Sequence, residues 1–427
     1  MQRLFVVILL SLLTVSCANK NSKPSVTKPN APDCNCVHDQ APIQLPPSTQ
    51  PVEPKSAEIK PDTKTVADYS LLKPAKWEDV DGLMEDDLSA AWGAWLQSCS
   101  TLKNKPQWQS ACNAAKALLK PNNATIIDYL TTQFDVYTAT NIDGGNTGLV
   151  TGYYEPLLQG SRKQSAQYPY PLYKQPNDIV TVELADVYPE LKFKRIRGKL
   201  VEAKQGDKKT GQLKLIPYLT RAEIETNPSP LAGNEVVWIN DIIDVFFLQI
   251  QGSGLVNLDN GQQVHVGYAD QNGHPYNSIG RLLIERGELT ADQASMQGIK
   301  NWARNNLDKL RDLLNSNPSY VFFRELPAGL PGPLGALGVP ITAERSVAID
   351  PKYVPLGAPI FLSSTQPNST KPLKRLMMAQ DTGGAIKGGV RADFFWGAGD
   401  AAGKQAGAMK QQGKVWVFLP KGFVLPK

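Results

Sequence analysis

Two aspartates near the end of the chain lie in stretches whose composition suits acid–base chemistry. Asp381 stands in "AQDTGGAIKG", and Asp393 follows twelve residues later in "VRADFFWGAGD". The aromatic run after Asp393 and a second acid nearby would both raise its pKa. A general acid must keep its proton near neutral pH, so this setting favours such a role. A third acid, Asp350 in "SVAIDPKYVPLG", precedes Asp381 by 31 residues.

The sequence contains fewer of the residues that other catalytic chemistries require. Asp-Thr-Gly also occurs in aspartic proteases, but these need two aspartates that share a proton, and the chain has one copy, so a protease would have to be a homodimer. The three histidines, His38, His265 and His274, are few for a metal site or a Ser-His-Asp triad. The plainest alternative is that the three aspartates serve as turn or capping residues and that "FFWG" belongs to a core.

Short β-branched and aromatic runs, separated by Gly, Pro and Asn, predict strands in the second half of the chain. The last block contains "RSVAID", "APIFLSS", "RLMMAQD", "ADFFWG" and "KVWVFLP", and the middle block contains "DIVTVEL", "EVVWIND", "DVFFLQIQGSG" and "QQVHVGYA". Each of the three acids ends or interrupts an apolar run, so we expect them to converge at the mouth of a barrel.

Helical periodicity marks "EDDLSAAWGAWLQSC" near the start of the folded sequence and "MQGIKNWARNNLDKLRDLLNSN" between the two β blocks. Strands do not alternate regularly with helices. We therefore expect a mainly β fold with helical additions and a barrel, rather than a doubly wound parallel sheet. The length of 427 residues allows two or three domains. The net charge is +5, and the Lys and Arg residues are spread along the chain rather than clustered as in nucleic-acid-binding proteins.

The first 17 residues, "MQRLFVVILLSLLTVSC", predict a secretory signal peptide. Their apolar run is shorter than the roughly 20 residues needed to span a bilayer. Cys17 after "LTVS" resembles a bacterial lipobox, with Thr14 where leucine is usual, and Ala18 and Asn19 then indicate the outer membrane. Ordinary cleavage without lipidation is the alternative. Residues 18–75, rich in Pro, Lys, Ser and Thr, predict a disordered tether.

The other four cysteines are Cys34, Cys36, Cys99 and Cys112. Export implies an oxidising compartment. Cys99 and Cys112 fall in neighbouring helical patterns and are candidates for a disulfide. For "DCNCVHD" in the predicted tether, a disulfide or no role is favoured over a metal site.

Several stretches together resemble the membrane-bound lytic murein transglycosylase A family. The three-aspartate block of that family is similar to "AQDTGGAIKG-GVRADFFWG-AGDAAG" with Asp350 upstream, and "TGYYEP", "LTRAEIE", "DVFFLQIQGSG" and "NPSYVFFRE" resemble its other blocks. The resemblance covers about residues 70–427. It implies a double-psi β-barrel from 76–156 and 319–427, with the three-aspartate block at about 338–420. A β-rich domain is inserted at 157–318, and a glycan groove lies between the two.

The resemblance implies cleavage of the β-1,4 bond between N-acetylmuramic acid and N-acetylglucosamine, with a 1,6-anhydro product and no metal or cofactor. The family pattern places the acid at Asp393, with Asp381 beside it raising its pKa or orienting it, and Asp381 as the acid is the alternative. Asp350 is expected to be architectural. The resemblance also implies peptidoglycan strands as substrate, and the predicted lipid anchor would place the protein at the periplasmic face of the outer membrane. A monomer is favoured, and the oligomeric state and any partners among other wall enzymes stay open. A non-catalytic, expansin-like wall-binding protein is the alternative.

Seven residues are candidates for substrate binding: Thr151, Tyr153, Tyr154, Gln249, Gln251, Ser253 and Lys387. The two tyrosines can stack on sugars or lie in a core, and Lys387 can contact substrate or pair with an acid. If "DVFFLQIQGSG" is a strand, Gln249 and Gln251 share a face. Glu155 is a candidate second carboxylate, although a salt-bridged or exposed glutamate is the favoured reading.

Overall fold

The computed structural model describes residues 67–188, 191, 194–206 and 208–425. Cys17, Cys34, Cys36 and His38 lie outside the described residues, as does most of the predicted tether. The end of that tether was wrongly predicted. Ala67 is buried and residues Leu72–Ala75 form a strand that pairs with Phe134–Ala139, so ordered structure begins before residue 75.

Seventeen strands and nine α-helices make up the described part of the chain. The strands are β1 Leu72–Ala75, β2 Phe134–Ala139, β3 Gly148–Glu155, β4 Leu157–Ser161, β5 Tyr170–Tyr173, β6 Ile179–Val182, β7 Ile196–Gln205, β8 Lys208–Ile216, β9 Glu235–Ile239, β10 Ser253–Leu258, β11 Gln263–Gln271, β12 Val321–Glu325, β13 Ser346–Ile349, β14 Pro359–Thr365, β15 Pro372–Asp381, β16 Ala392–Ala398 and β17 Lys410–Pro420. The helices are α1 Ser89–Leu102, α2 Pro106–Ala117, α3 Asn123–Gln133, α4 Arg221–Ile224, α5 Ile242–Gln251, α6 Ile279–Glu285, α7 Met296–Asn305, α8 Leu307–Asn315 and α9 Gly399–Ala408.

Six strands close into a ring in the order β17-β14-β15-β13-β16-β3, because β3 pairs again with β17. The pairs β13–β15 and β3–β16 are parallel, and the other four are antiparallel. β2 and β1 extend the sheet outward from β17. Closure removes free strand edges from the ring. The barrel predicted from the last block of the sequence is therefore present, and β3 enters it from far upstream.

A second sheet of six strands, β12-β11-β10-β4-β9-β5, is built from residues between β3 and β13, and β6, β7 and β8 form a separate three-stranded sheet. β12 was predicted to belong to the barrel because residue 319 was taken as the boundary. It pairs instead with β11 in the second sheet. The short aromatic and β-branched run in "YVFFRE" is typical of a strand but does not identify the strand's partner, so this error arose at the level of topology.

Helices α1, α2 and α3 pack against the barrel sheet and share its hydrophobic core. Trp95 of α1 contacts the rings of Trp108 and Phe134 and donates a hydrogen bond to the hydroxyl of Tyr129. A disulfide joins Cys99 of α1 to Cys112 of α2, the pairing that the sequence suggested.

The stretch "DVFFLQIQGSG" was predicted as a strand and is largely helix α5. The side chain of Asp241 accepts a hydrogen bond from the backbone of Ile243 at the helix start, and Gly252 ends the helix in a left-handed conformation. A continuous apolar run fits a buried strand and a buried helix equally well. Gln249 and Gln251 therefore do not share a face as strand residues would.

The long helical pattern after residue 295 is two helices, α7 and α8, separated at Asn306. Leu307 is the first residue of the second helix, and its side chain is exposed although the residue is apolar. Among the residues that the structure describes, no helix has both the length and the apolar character needed to cross a bilayer.

Candidate active site

The carboxyl group of Asp393 lies at the start of β16, beside β3. Its Oδ1 accepts a hydrogen bond of 2.5 Å from the hydroxyl of Thr151, its Cα partner in the parallel β3–β16 pairing. The Thr151 hydroxyl in turn accepts a hydrogen bond of 2.8 Å from the guanidinium of Arg391. The Thr151 hydroxyl therefore lies between Asp393 and Arg391 and is hydrogen-bonded to both.

Burial raises the pKa of Asp393 to about 6. The hydrogen bond from Thr151 and the charge of Arg391 lower that pKa, whereas the charge of Asp381 raises it. Burial is the largest of these causes, and the charge of Asp381 acts in the same direction. A carboxyl group with this pKa is substantially protonated under mildly acidic conditions.

The second aspartate, Asp381, is the last residue of β15, and its carboxyl group accepts three hydrogen bonds. Its Oδ1 accepts the backbone N–H groups of Ala336 and Thr382, both at 2.9 Å, and its Oδ2 accepts the hydroxyl of Tyr153 at 3.0 Å. Burial raises the pKa of Asp381, and these three hydrogen bonds oppose the rise. The carboxylate is therefore held firmly in place, with its lone pairs engaged by the protein.

Only one of the three aromatic residues after Asp393 shares its face of β16. Phe395 follows by two residues and packs against the ring of Tyr153, with centroids 5.1 Å apart. Phe394 and Trp396 point to the opposite face and pack against each other, with centroids 4.6 Å apart. The expected apolar surround thus comes from Phe395 and Tyr153.

Asp350 is buried and fixes a loop. Its Oδ1 accepts the backbone N–H of Lys352 at 3.1 Å, and its Oδ2 accepts that of Gly388 at 3.0 Å. Gly388 has a φ of +121°, which favours glycine. Asp350 therefore ties the turn after β13 to the loop between Asp381 and Asp393, in keeping with the architectural role expected of it.

The two tyrosines of "TGYYEP" face opposite sides of β3. Tyr153 is partly exposed on the face of Asp393, whereas Tyr154 is buried against α9, where its ring lies over Gly403. The backbone N–H of Tyr154 donates to Oε1 of Gln251 at 3.1 Å. Of the pair, Tyr153 is thus available to a ligand and Tyr154 is a core residue.

Gln249 is buried in the second sheet region. Its Oε1 accepts a hydrogen bond from Arg221, a buried cation that lies over the rings of Phe246 and Tyr320. Gln251, in contrast, is partly exposed, and its side chain contacts the barrel by accepting the hydrogen bond from the backbone N–H of Tyr154.

Three further candidates lie apart from this network. Ser253 starts β10 and is partly exposed, and Lys387 is exposed in the loop after Asp381. Glu155, the possible second carboxylate, is buried at the end of β3 and pairs with Nε2 of His265. Glu155 is therefore paired rather than exposed, and its partner is one of the three histidines.

Sequence reasoning missed Arg391 as part of the site. It precedes Asp393 by two residues, so both side chains lie on the same face of a strand and its extension. That spacing was a usable signal. Ala336 was also missed, because it contributes only a backbone N–H from a loop 45 residues before Asp381. Within the described residues, no group of three or more His, Cys, Asp and Glu side chains is placed to hold a metal ion.

Two family models match the chain. The "MltA specific insert domain" matches residues 149–324, and the "3D domain" matches residues 345–419. The first includes β3 and the second sheet, and the second includes Asp350, Asp381 and Asp393.

Named relatives agree with these matches. The membrane-bound lytic murein transglycosylase A of Escherichia coli K12 is 32% identical over 293 residues, which is 66% of this chain and 69% of the relative. The crystal structure of MltA from Neisseria gonorrhoeae is 35% identical with a TM-score of 0.69, covering 83% of this chain and 93% of that one. The structure of E. coli MltA with bound chitohexaose is 26% identical with a TM-score of 0.62, covering 84% and 96%. The chain belongs to the membrane-bound lytic murein transglycosylase A family.

Proposed function

We propose that this protein is a lytic transglycosylase that cleaves the β-1,4 bond between N-acetylmuramic acid and N-acetylglucosamine in peptidoglycan and leaves 1,6-anhydromuramoyl ends. Its relatives carry the name of that activity, and one related structure holds a bound chitohexaose, a β-1,4-linked glycan. The site residues and their roles in this reaction are inferred from their geometry.

Asp393 is the acid in this mechanism. Protonated, it donates its proton to the glycosidic oxygen as the bond to C1 breaks. As a carboxylate, it then accepts the proton of the muramoyl C6 hydroxyl, which closes on C1 in place of water. One group can serve both steps because its pKa of about 6 leaves both forms accessible.

Asp381 supports that acid without acting as a second catalyst. Ordinary glycosidases need a second carboxylate as a nucleophile or base. Asp381 is engaged by Tyr153 and two backbone N–H groups, which suits a fixed charge rather than a nucleophile. Its negative charge favours the protonated form of Asp393. Tyr153 and Thr151 line the same face and complete the floor of the site.

The observation that carries this proposal is a single partly buried carboxyl group with a raised pKa beside a second, fully engaged carboxylate. Mass spectrometry of the glycans that residues 67–427 release from purified peptidoglycan tests it. Anhydromuropeptides from the wild-type protein, lost in Asp393→Asn, are expected. Reducing-end products would indicate a hydrolase, and wall binding without release would favour the expansin-like alternative.

We also propose the finer organisation of the chain. Residues 1–17 act as a signal peptide, Cys17 carries a lipid, and the tether places the enzyme on the periplasmic face of the outer membrane. The barrel domain begins before residue 75, is interrupted after about residue 156, and resumes after β12. Mass analysis of the membrane-extracted protein, with Cys17→Ser as its control, tests the lipidation.

A further inference from the structure

A cavity of about 630 Å³ lies among α5, α6, α7 and the first residue of β17. Its floor is apolar and includes Phe247 of α5 and Met296 and Ile299 of α7. Its rim carries the cations Arg281 of α6 and Lys410 of β17. This volume is in the range of small-ligand sites, and the mechanism described above does not use it.

The two cations are available to a ligand. Both side chains are exposed, and neither forms an ion pair with any residue that the structure describes. Glu285 is the acidic residue on the rim, and Gln251 lines the cavity with its Oε1 engaged by the backbone N–H of Tyr154. Arg281, Lys410 and Glu285 together give the rim a net positive charge, which is complementary to a carboxylate-bearing ligand.

One residue of the cavity lining, Lys410, lies near the acid in the barrel sheet. Lys410 is the Cα partner of Thr151 in the antiparallel β3–β17 pair, and Thr151 is the Cα partner of Asp393 on its other side. Adjacent strands are about 4.8 Å apart, so Lys410 and Asp393 are separated by about 10 Å across β3. Opposed residues of an antiparallel pair point to one face, so Lys410 projects to the side of Thr151.

We propose that this cavity binds the peptide stem of the muramoyl residue whose bond is cleaved, so that the enzyme favours stem-bearing over naked glycan. The inference rests on the proposed function. A stem begins with a small apolar residue on the lactyl group and carries free carboxylates within its next residues. An extended peptide covers about 10 Å in three residues. A stem that starts at the cleaved sugar therefore brings its carboxylates to Arg281 and Lys410, with its apolar parts over Phe247 and Met296.

Two matched substrates test the proposal: solubilised glycan strands with their stems, and the same strands after an amidase has removed the stems. The wild-type protein is expected to have a kcat/KM about tenfold higher on the stem-bearing strands, a difference of about 1.4 kcal/mol. In the double variant Arg281→Gln/Lys410→Gln that ratio should fall toward one. The control Arg286→Gln/Lys404→Gln removes two exposed cations outside the cavity and should keep the ratio.

Binding of the free stem tetrapeptide, measured by titration calorimetry, gives a readout that does not depend on cleavage. Weaker binding by the Arg281→Gln/Lys410→Gln variant than by the control variant supports the site. Equal binding by the two variants, or equal wild-type rates on the two substrates, overturns it. Failure to cleave either substrate would count against the lytic reaction, while the calorimetry would still decide whether the cavity binds the stem.

Discussion

Thr151 and Asp393, 242 residues apart in the chain, are joined by a hydrogen bond between neighbouring parallel strands of the barrel. The hydroxyl of Thr151 lowers the pKa of Asp393 and also accepts a hydrogen bond from Arg391, whose charge lowers that pKa as well. Replacement by valine, which has nearly the same shape, removes this hydrogen bond, so the pKa of Asp393 should rise. Activity requires the protonated acid, so the alkaline limb of the pH profile should move to higher pH.

The measurement is kcat/KM against pH on solubilised peptidoglycan for Thr151→Val. The low-pH rate should fall by less than about tenfold, because the hydroxyl orients the acid without transferring its proton, whereas loss of a general acid costs about 10² to 10⁴-fold. Thr138→Val, in β2 of the same sheet, is the matched control and should keep the wild-type profile. An unmoved limb in Thr151→Val would contradict the assignment of Asp393.

Asp381→Asn should move the alkaline limb of the pH profile to lower pH. The carboxamide keeps an acceptor for the backbone of Ala336 but removes the charge that raises the pKa of Asp393. Asp393 should therefore ionise at lower pH, and activity at neutral pH should decrease while activity at low pH is largely kept. If Asp381→Asn abolishes cleavage at every pH while Asp393→Asn retains it, the two roles are reversed.

Asp393→Asn should make the protein more stable at neutral pH. A folded-state pKa raised to about 6 means that ionised Asp393 disfavours the fold, so its contribution to stability is full below the unfolded pKa and is lost as pH rises through about 6. The complete rise corresponds to at most about 3 kcal/mol. Partial exposure reduces this figure to an expected gain of about 1–2 kcal/mol.

Urea unfolding of wild type and Asp393→Asn at pH 4 and pH 7.5 measures this difference. The two proteins should have similar stability at pH 4 and diverge at pH 7.5, with the variant higher. A variant that is less stable at both values would indicate that the carboxylate contributes to the fold rather than to catalysis.

Asp350→Ala should destabilise the protein by about 1–3 kcal/mol, because two backbone donors, at Lys352 and Gly388, lose their buried acceptor. Asp350→Asn keeps one acceptor oxygen and should cost less. Thermal unfolding and residual activity measured below the transition distinguish the roles. Complete loss of activity at unchanged stability would show that Asp350 takes part in the reaction.

The last block of strands was predictable because short β-branched and aromatic runs separated by turn residues are local signals. The three aspartates could be placed at strand ends for the same reason. The faces of Tyr153 and Tyr154 could not be assigned. Strand alternation places the two rings on opposite faces of β3 but does not say which face is buried, and either tyrosine fits a core. The helix α5 was misread because a short, nearly continuous apolar run fits a buried strand and a buried helix equally well.

Contacts between distant segments were beyond the sequence for a different reason. The pairing of β12 with β11 and the backbone donor of Ala336 depend on topology, which a local pattern does not encode. Arg391 is the exception, because its position two residues before Asp393 predicts that both side chains lie on the same face of a strand.

The closing pair of the barrel, β3 with β17, has a consequence for when the enzyme becomes active. β3 is synthesised early, whereas Asp393 and β17 emerge last, so a growing chain lacks both its acid and the strand that completes the ring. Pairings across such long sequence separations also form slowly. An unfinished or truncated chain is therefore expected to be inactive, and cleavage of peptidoglycan should begin only after synthesis and folding are complete.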